Sequence, residues 1–251
     1  MRLAYRGSAC ATWIDHHIGI AQLARPHPAR PASVAASAPS PWHVAFDGRL
    51  DNRTELTRAL EIAPAAQDGS EDAGVMLAAL DRWGVDAARR VLGEFACVAW
   101  NARERQLWLL RDVMGLRPLY VRLTPTEVTC ASDLQTLVLE GPVEVNEGVV
   151  AESLCGTMAT STETLYRGIE RLPLDHVARI SATAYERSLY WTPRLDESLP
   201  RRSPQARSDE FSAIFSDAVA ARHAGLSGVA LLLSGGLDSS SIAAELAATR
   251  D

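Results

Sequence analysis

The feature that most constrains this chain is Ser234-Gly235-Gly236-Leu237-Asp238-Ser239-Ser240, set between the all-apolar run Val229 to Leu233 and the helical pattern Ile242-Ala243-Ala244-Glu245-Leu246. An apolar run of that length suits a buried strand of a parallel sheet, so the order reads strand, loop, helix and places the segment in an α/β domain. The two glycines let backbone N–H groups approach a ligand closely, and the helix N-terminus behind them adds partial positive charge. Such a turn accepts an anion, and phosphate is the natural one. Ser234, Ser239 and Ser240 add hydroxyl donors, whereas Asp238, a carboxylate beside a polyanion, makes sense chiefly as a magnesium ligand. The loop has no Gly-Lys-Ser/Thr ending, and no lysine occurs anywhere in the 251 residues, so Walker-type γ-phosphoryl transfer is not the expected chemistry.

Upstream, from about Arg2 to Trp191, short β-type runs broken by Pro, Gly and Asn turns dominate. Leu92 to Trp100, Gln106 to Arg111, Leu119 to Leu123 and Glu127 to Ala131 follow at hairpin-like intervals and predict a continuous antiparallel meander. Ser70 is the expected cap of a helix carrying Val75, Met76, Ala79, Leu80 and Trp83 on one face, and Asn146 of another carrying Val149, Val150 and Leu154. Helices on antiparallel sheet predict a layered α+β domain. Pro26 to Pro41 reads as a loop, and Pro193 to Ala206, rich in Pro, Ser, Arg and Asp, as a linker. Ser208 is then expected to cap a helix with Phe211, Ile214, Phe215, Ala218 and Val219 at helical spacing. The expected organisation is a domain over 1–192, a linker over 193–207 and an incomplete α/β domain over 208–251, because one strand cannot make a parallel sheet. The chain is thus expected to be a truncated product or a fragment, inactive by itself.

Composition narrows the class. A formal charge of −6, without a run of Arg, argues against a nucleic-acid surface. No apolar stretch is long enough to span a bilayer and the N-terminus lacks signal-peptide order, so no membrane is expected as partner and the expected location is cytoplasmic. Cys10, Cys97, Cys130 and Cys155 are too scattered for a zinc site and are expected to be buried free thiols. His16 and His17, beside Asp15, are expected to be scaffold, because neighbours in a strand point to opposite faces. Arg111, Asp112 and Arg117 suggest a salt-bridged corner more than a nucleotide contact.

The seven-residue loop resembles the pyrophosphate loop of the asparagine synthetase family. So, in order, do Phe46-Asp47-Gly48-Arg49-Leu50-Asp51-Asn52, Gly93-Glu94-Phe95-Ala96, Arg111 to Tyr120, Tyr166-Arg167-Gly168-Ile169 and Arg171-Leu172-Pro173, which resemble segments of that family's glutaminase-like domain. The resemblance implies an N-terminal-nucleophile-type α/β/β/α sandwich, then the start of an α/β pyrophosphate-loop ATP-binding domain. It implies ATP and Mg2+ as cofactors, with Leu233, Ser234, Gly235, Gly236, Asp238, Ser239 and Ser240 at the nucleotide and Asp238 holding the metal. The implied reaction is adenylation of a carboxylate, with AMP and pyrophosphate released, for attack by an amine.

The same resemblance implies a lost glutaminase. Active members use a cysteine exposed at the mature N-terminus, where this chain has Arg2; Cys10 would serve only after removal of the residues before it. Where they carry Asn-Gly-Glu and Gly-Asp, this chain has Asp47-Gly48-Arg49 and Gly93-Glu94. Asp47, Gly48, Arg49 and Glu94 therefore read as a degenerate glutamine site, and no catalytic residue is expected in the glutaminase-like domain. This pattern is similar to the branch holding β-lactam synthetases and lasso-peptide cyclases, which implies a small-molecule or peptide carboxylate and amine as substrate, a precursor peptide among them. The competing readings are a glutamine-hydrolysing asparagine synthase, a non-catalytic remnant serving as an interaction module, and another pyrophosphate-loop enzyme such as a thiolation or nucleotide-amidating one.

Overall fold

The computed structural model describes residues 9–24, 34–37, 39–63, 72–157, 159–197, 202–224, 226 and 228–248. Arg2, the cap expected at Ser70 and most of the expected loop from Pro26 to Pro41 lie outside them. Within that last segment Ala35–Ala36 forms a short strand rather than loop. The chain divides into two compact units, Met1–Thr192 and Pro193–Asp251, which are described separately.

The first unit is built on a six-stranded sheet. Its strands are β3 (Ala35–Ala36), β4 (Trp42–Leu50), β5 (Gly93–Asn101), β6 (Gln106–Arg111), β10 (His176–Ile180) and β11 (Tyr185–Leu189), in the spatial order β11-β10-β6-β5-β4-β3. Period-two alternation sorts the side chains of this sheet between two cores. Val44, Phe46, Phe95, Cys97, Ala99, Leu110 and Val177 face a core completed by helices α1 (Arg53–Ala59) and α2 (Asp72–Trp83). Ala96, Leu107, Leu109, Ala178 and Ile180 face a second core, completed by Leu119, Val121 and Leu172.

Those last residues belong to or flank a three-stranded sheet of β7 (Tyr120–Leu123), β8 (Val128–Ala131) and β9 (Ile169–Arg171). Helix α3 (Leu134–Val138), capped by Asp133, packs on β7 and β8 and buries Leu137. The layers are therefore helix, sheet, sheet, helix: the α/β/β/α sandwich of the N-terminal-nucleophile type. Helix α4 (Glu147–Leu154) begins at Asn146, whose side chain accepts from Val149 N–H, although Leu154 on the same helix is exposed.

The expected meander is interrupted. Hairpins β5–β6 and β7–β8 both form, but in different sheets, because Arg111 to Leu119 turns the chain from one layer to the other. The cysteines also divide: Cys97 is buried and Cys130 largely so, while Cys10 on strand β1 (Ala9–Asp15) and Cys155 at the end of α4 are exposed. Strand β1 pairs with β2 (Ile18–Ala24), Asp15 opposite Ile18, so His16 and His17 form the tight turn between them rather than strand. That turn brings both rings to one side, with centroids 6.4 Å apart, against the expectation of opposite faces.

In the second unit, helix α5 (Pro204–His223) starts four residues before the expected cap. Ser203 accepts from Ala206 N–H, and Pro204 at the first turn has no N–H to leave unsatisfied. The run Val229 to Leu233 is not a strand. Pairing needs a second strand, and the described residues of this unit hold only α5 and α6 (Leu237–Ala248), so Leu232 and Leu233 stand exposed. Phe211 and Ile214 on α5 are exposed too, with Phe211 stacked on Phe215. Among the described residues, no helix is long and apolar enough to cross a membrane.

Candidate functional site

Antiparallel pairing brings the four degenerate positions together. Asp47 and Arg49 are two apart on β4 and share a face; Arg49 lies opposite Glu94 on β5, and Asp47 opposite Ala96. Three charged side chains therefore project from one end of the six-stranded sheet, on the face that carries Ala96 toward the second core. Two glycines allow the strands to meet here. A Cβ at Gly48 would lie 2.1 Å from the Glu94 carbonyl oxygen, and one at Gly93 would lie 2.0 Å from the Arg49 carbonyl oxygen. The strand end is tied down from behind. Buried Asp72 accepts from Leu50 N–H and pairs with Arg53 at 2.6 Å, while the Asn52 side chain accepts from Leu92 N–H and donates to the Arg90 carbonyl.

The fourth charge comes from a distance in sequence. Arg117 places its guanidinium 3.1 Å from Glu94 and 3.7 Å from Asp47, bridging the two carboxylates. Arg49 pairs with Asp51 at 2.9 Å. Arg117 is held by the corner that also interrupts the meander. Fully buried Asp112 accepts from the backbone N–H groups of Phe95, Met114, Leu116 and Arg117 at 3.0 to 3.3 Å. Buried Arg111 donates to the carbonyls of Gly115, Arg117 and Leu172. A guanidinium among backbone carbonyls is an expensive burial made good by hydrogen bonds, and that desolvation holds the Arg111 pKa below its usual value. Tyr190 closes the corner by donating to the Arg111 carbonyl at 2.8 Å.

Arg117's bridging role is hidden in the sequence, where it stands 23 residues from Glu94 and 70 from Asp47. Charge balance does not single it out, since Arg49 already sets a cation opposite Glu94 on the same strand pair.

Cys97 lies in the first core and Cys130 packs against the second. Burial raises the Cys97 pKa strongly, and burial with the nearby Glu140 charge pushes Cys130 up to about 12, so both remain neutral thiols.

The second unit carries Ser234 to Ser240 as an exposed turn opening α6. Gly235 adopts φ +80, a value that favours glycine. Ser234 Oγ accepts from Gly236 N–H and lies 3.2 Å from Ser239 Oγ, while Ser239 Oγ accepts from Ser234 N–H. The first helical bond runs from Ser240 N–H to the Gly236 carbonyl. Hydroxyls, the N–H groups of the first turn and the helix dipole thus lie together at one exposed turn. Leu233, Ser234, Gly235, Gly236, Asp238, Ser239 and Ser240 all lie on this turn or next to it in the chain. Among the described residues no group of three or more His, Cys, Asp or Glu side chains could hold a metal. Asp238 stands exposed in the first turn of α6.

The profile of the glutamine amidotransferase domain matches residues 17–191, and that of asparagine synthase matches residues 210–251. A provisionally named glutamine-hydrolyzing asparagine synthetase of Mycobacterium tuberculosis is 32% identical over 219 residues, covering 82% of this chain and 33% of that protein. Asparagine synthetase [glutamine-hydrolyzing] 1 of Bacillus subtilis is 25% identical over 132 residues, covering 52% of this chain and 21% of its own. This chain thus spans about a third or less of the length of these relatives. A solved glutamine phosphoribosylpyrophosphate amidotransferase from B. subtilis is similar over 70% of this chain and 35% of its own, with 15% identity and a TM-score of 0.47. With the amidotransferase profile covering most of the chain and the asparagine synthase profile following it, the protein belongs to the asparagine synthetase family, a family of amidotransferases and ligases.

Proposed function

We propose that this protein is an ATP-dependent, AMP-forming amide ligase whose amidotransferase domain no longer hydrolyses glutamine. The observation that carries the second half is the Arg117 bridge between Asp47 and Glu94. A pocket for glutamine's ammonium and amide needs acceptors and donors left open to the ligand. Here the two carboxylates already hold a tethered cation, which a free ligand must displace at high effective concentration. Arg49 sets a positive charge, paired with Asp51, where the resemblance expects a carboxylate.

The first half rests on the turn from Ser234 to Ser240. In this reading the N–H groups of Gly235 and Gly236 and the hydroxyls of Ser234, Ser239 and Ser240 bind the pyrophosphate part of ATP, beside Leu233. Mg2+ would be held by Asp238 and would neutralise phosphate charge. The substrate carboxylate attacks the α-phosphorus and expels pyrophosphate; an amine in the same substrate then attacks the activated carbonyl and expels AMP. The proposed substrate is a small molecule or peptide bearing both groups, and the product a ring-closing amide.

The test is pyrophosphate release from ATP and Mg2+ by the full-length gene product, supplied with amino-acid and peptide carboxylates, with and without glutamine. Release that Asp238→Ala abolishes and glutamine does not alter is expected. Release that requires glutamine and yields glutamate would overturn the reading.

A further inference from the structure

The β1–β2 hairpin forms a two-stranded sheet of its own, joined to neither layer of the sandwich by strand pairing among the described residues. Its hold on β4 rests on side chains. β3 covers the outer edge of β4 only at His43 and Val44. Two residues on, Gln22 of β2 takes the place of a strand: its Nε2 donates to the Phe46 carbonyl at 2.7 Å, and its Oε1 accepts from Phe46 N–H at 3.2 Å. Trp13 of β1 stacks on His43 with ring centroids 3.7 Å apart and planes 26° from parallel. From β2, Ile20 is buried and Ile18 packs on the second core.

His43 is the titratable member of this contact. A neutral imidazole can leave one ring nitrogen without a proton, but an imidazolium donates from both. His43 Nδ1 is buried and has no hydrogen-bond partner among the described residues. A second proton therefore leaves a charged N–H without an acceptor, or drives the ring out of the stack. Asp15 of β1 is the charged group that faces the ring, and it works the other way, as do the nearby Pro41 carbonyl and the indole face, which favours a cation. The cross-strand neighbours of His43, Ala36 on β3 and Trp100 on β5, carry no charge. Burial of the ring is the largest influence, and it holds the His43 pKa below its ordinary value.

We infer that the hairpin is a strap that releases β4 when His43 gains a proton, while the sandwich beneath it stays folded. Released, His43 titrates at its ordinary value of 6.5; docked, it titrates lower. The docked state therefore has its full stability above pH 6.5 and loses it as the pH falls below, by up to about tenfold in the docking equilibrium per pH unit. Release frees both backbone groups of Phe46, next to Asp47 of the charged cluster, for another hydrogen-bonding partner. The inference is independent of the ligase reading, because it requires neither ATP nor glutamine.

Hydrogen exchange of the complete chain, read by mass spectrometry at pH 7.5 and 5.5 and corrected for the intrinsic pH dependence of exchange, tests it. Protection of β1 and β2 is expected to fall about five- to tenfold between the two, and that of β5 and β6 to hold. His43→Phe keeps a ring on Trp13, His43→Gln does not, and neither titrates; in both the fall is expected to vanish. Gln22→Met removes the amide and is expected to lower β1 and β2 protection at both pH values, with β5 and β6 unchanged. Equal protection of the hairpin at the two pH values would overturn the strap. A fall that persists in both His43 variants would also overturn it, by assigning the proton to Asp15, His16 or His17. Loss of β5 and β6 protection together with the hairpin would show unfolding of the whole unit and overturn it too.

Discussion

Replacing Asp112 by alanine tests the reasoning about the corner most sharply, because one buried side chain there serves four backbone N–H groups. Met114 and Leu116 are exposed, so their N–H groups can regain water. Phe95 N–H, within a central strand, and Arg117 N–H, packed against it, cannot do so readily. Hydrogen bonds to a charged group contribute about 1.5–3 kcal/mol each, so two lost bonds with their donors left buried amount to about 3–6 kcal/mol. Against a typical total of about 5–15 kcal/mol that is a large fraction. All six tryptophans precede Pro193, so their fluorescence in a urea titration reports the first unit alone. Asp112→Ala is expected to move the midpoint down strongly at constant slope, and Asp112→Asn, which keeps one acceptor oxygen, by about half as much. A loss under about 1 kcal/mol for the alanine variant would refute the claim that this carboxylate organises the corner.

Other expectations follow from the same geometry. Gly48→Ala forces a Cβ to within 2.1 Å of a backbone oxygen, so it should cost about 3 kcal/mol or more and is checked by the same titration. Tyr190→Phe removes one buried bond to the Arg111 carbonyl and should cost about 1 kcal/mol in urea unfolding. Titration with a thiol reagent at pH 8 should label Cys10 and Cys155 at once, and Cys97 and Cys130 only after unfolding. Because burial raises the pKa of both inner thiols above their unfolded values, the stability they contribute is complete below about pH 8.5. It is lost as pH rises above that, where the unfolded chain ionises first, and unfolding midpoints measured from pH 7 to 10 should fall accordingly.

Much of the sandwich is legible in the sequence because its cause is local. The periodicity of Val75, Met76, Ala79 and Leu80 makes α2 amphipathic whatever it packs against, and Asn146 caps α4 through its own neighbour three residues on. The split of the expected meander into two sheets is not local. It depends on Arg111 reaching the Leu172 carbonyl, 61 residues away, and on Asp112 reaching back to Phe95. The cap of α5 moves from Ser208 to Ser203 because both serines can cap, and Pro204 fits only the earlier start. Val229 to Leu233 has strand composition, but a strand is a property of pairs, and no described strand of its unit can pair with it. His16 and His17 misled for a related reason: Asp15 pairs with Ile18, and that register turns a presumed strand into a turn. Charge substitution at Asp47, Arg49 and Glu94 was visible from the residues alone, but Arg117, which gives it meaning, enters only through the folded corner.

The central claim is that the amidotransferase domain holds an internal cation where glutamine would sit. Incubation of the protein with isotope-labelled glutamine, followed by NMR detection of glutamate and ammonia, tests it directly. The account predicts no glutamate above the rate in buffer and no change when ATP and Mg2+ are added. Glutamate formation by the unmodified protein, lost when Asp47 or Glu94 is replaced, would contradict it.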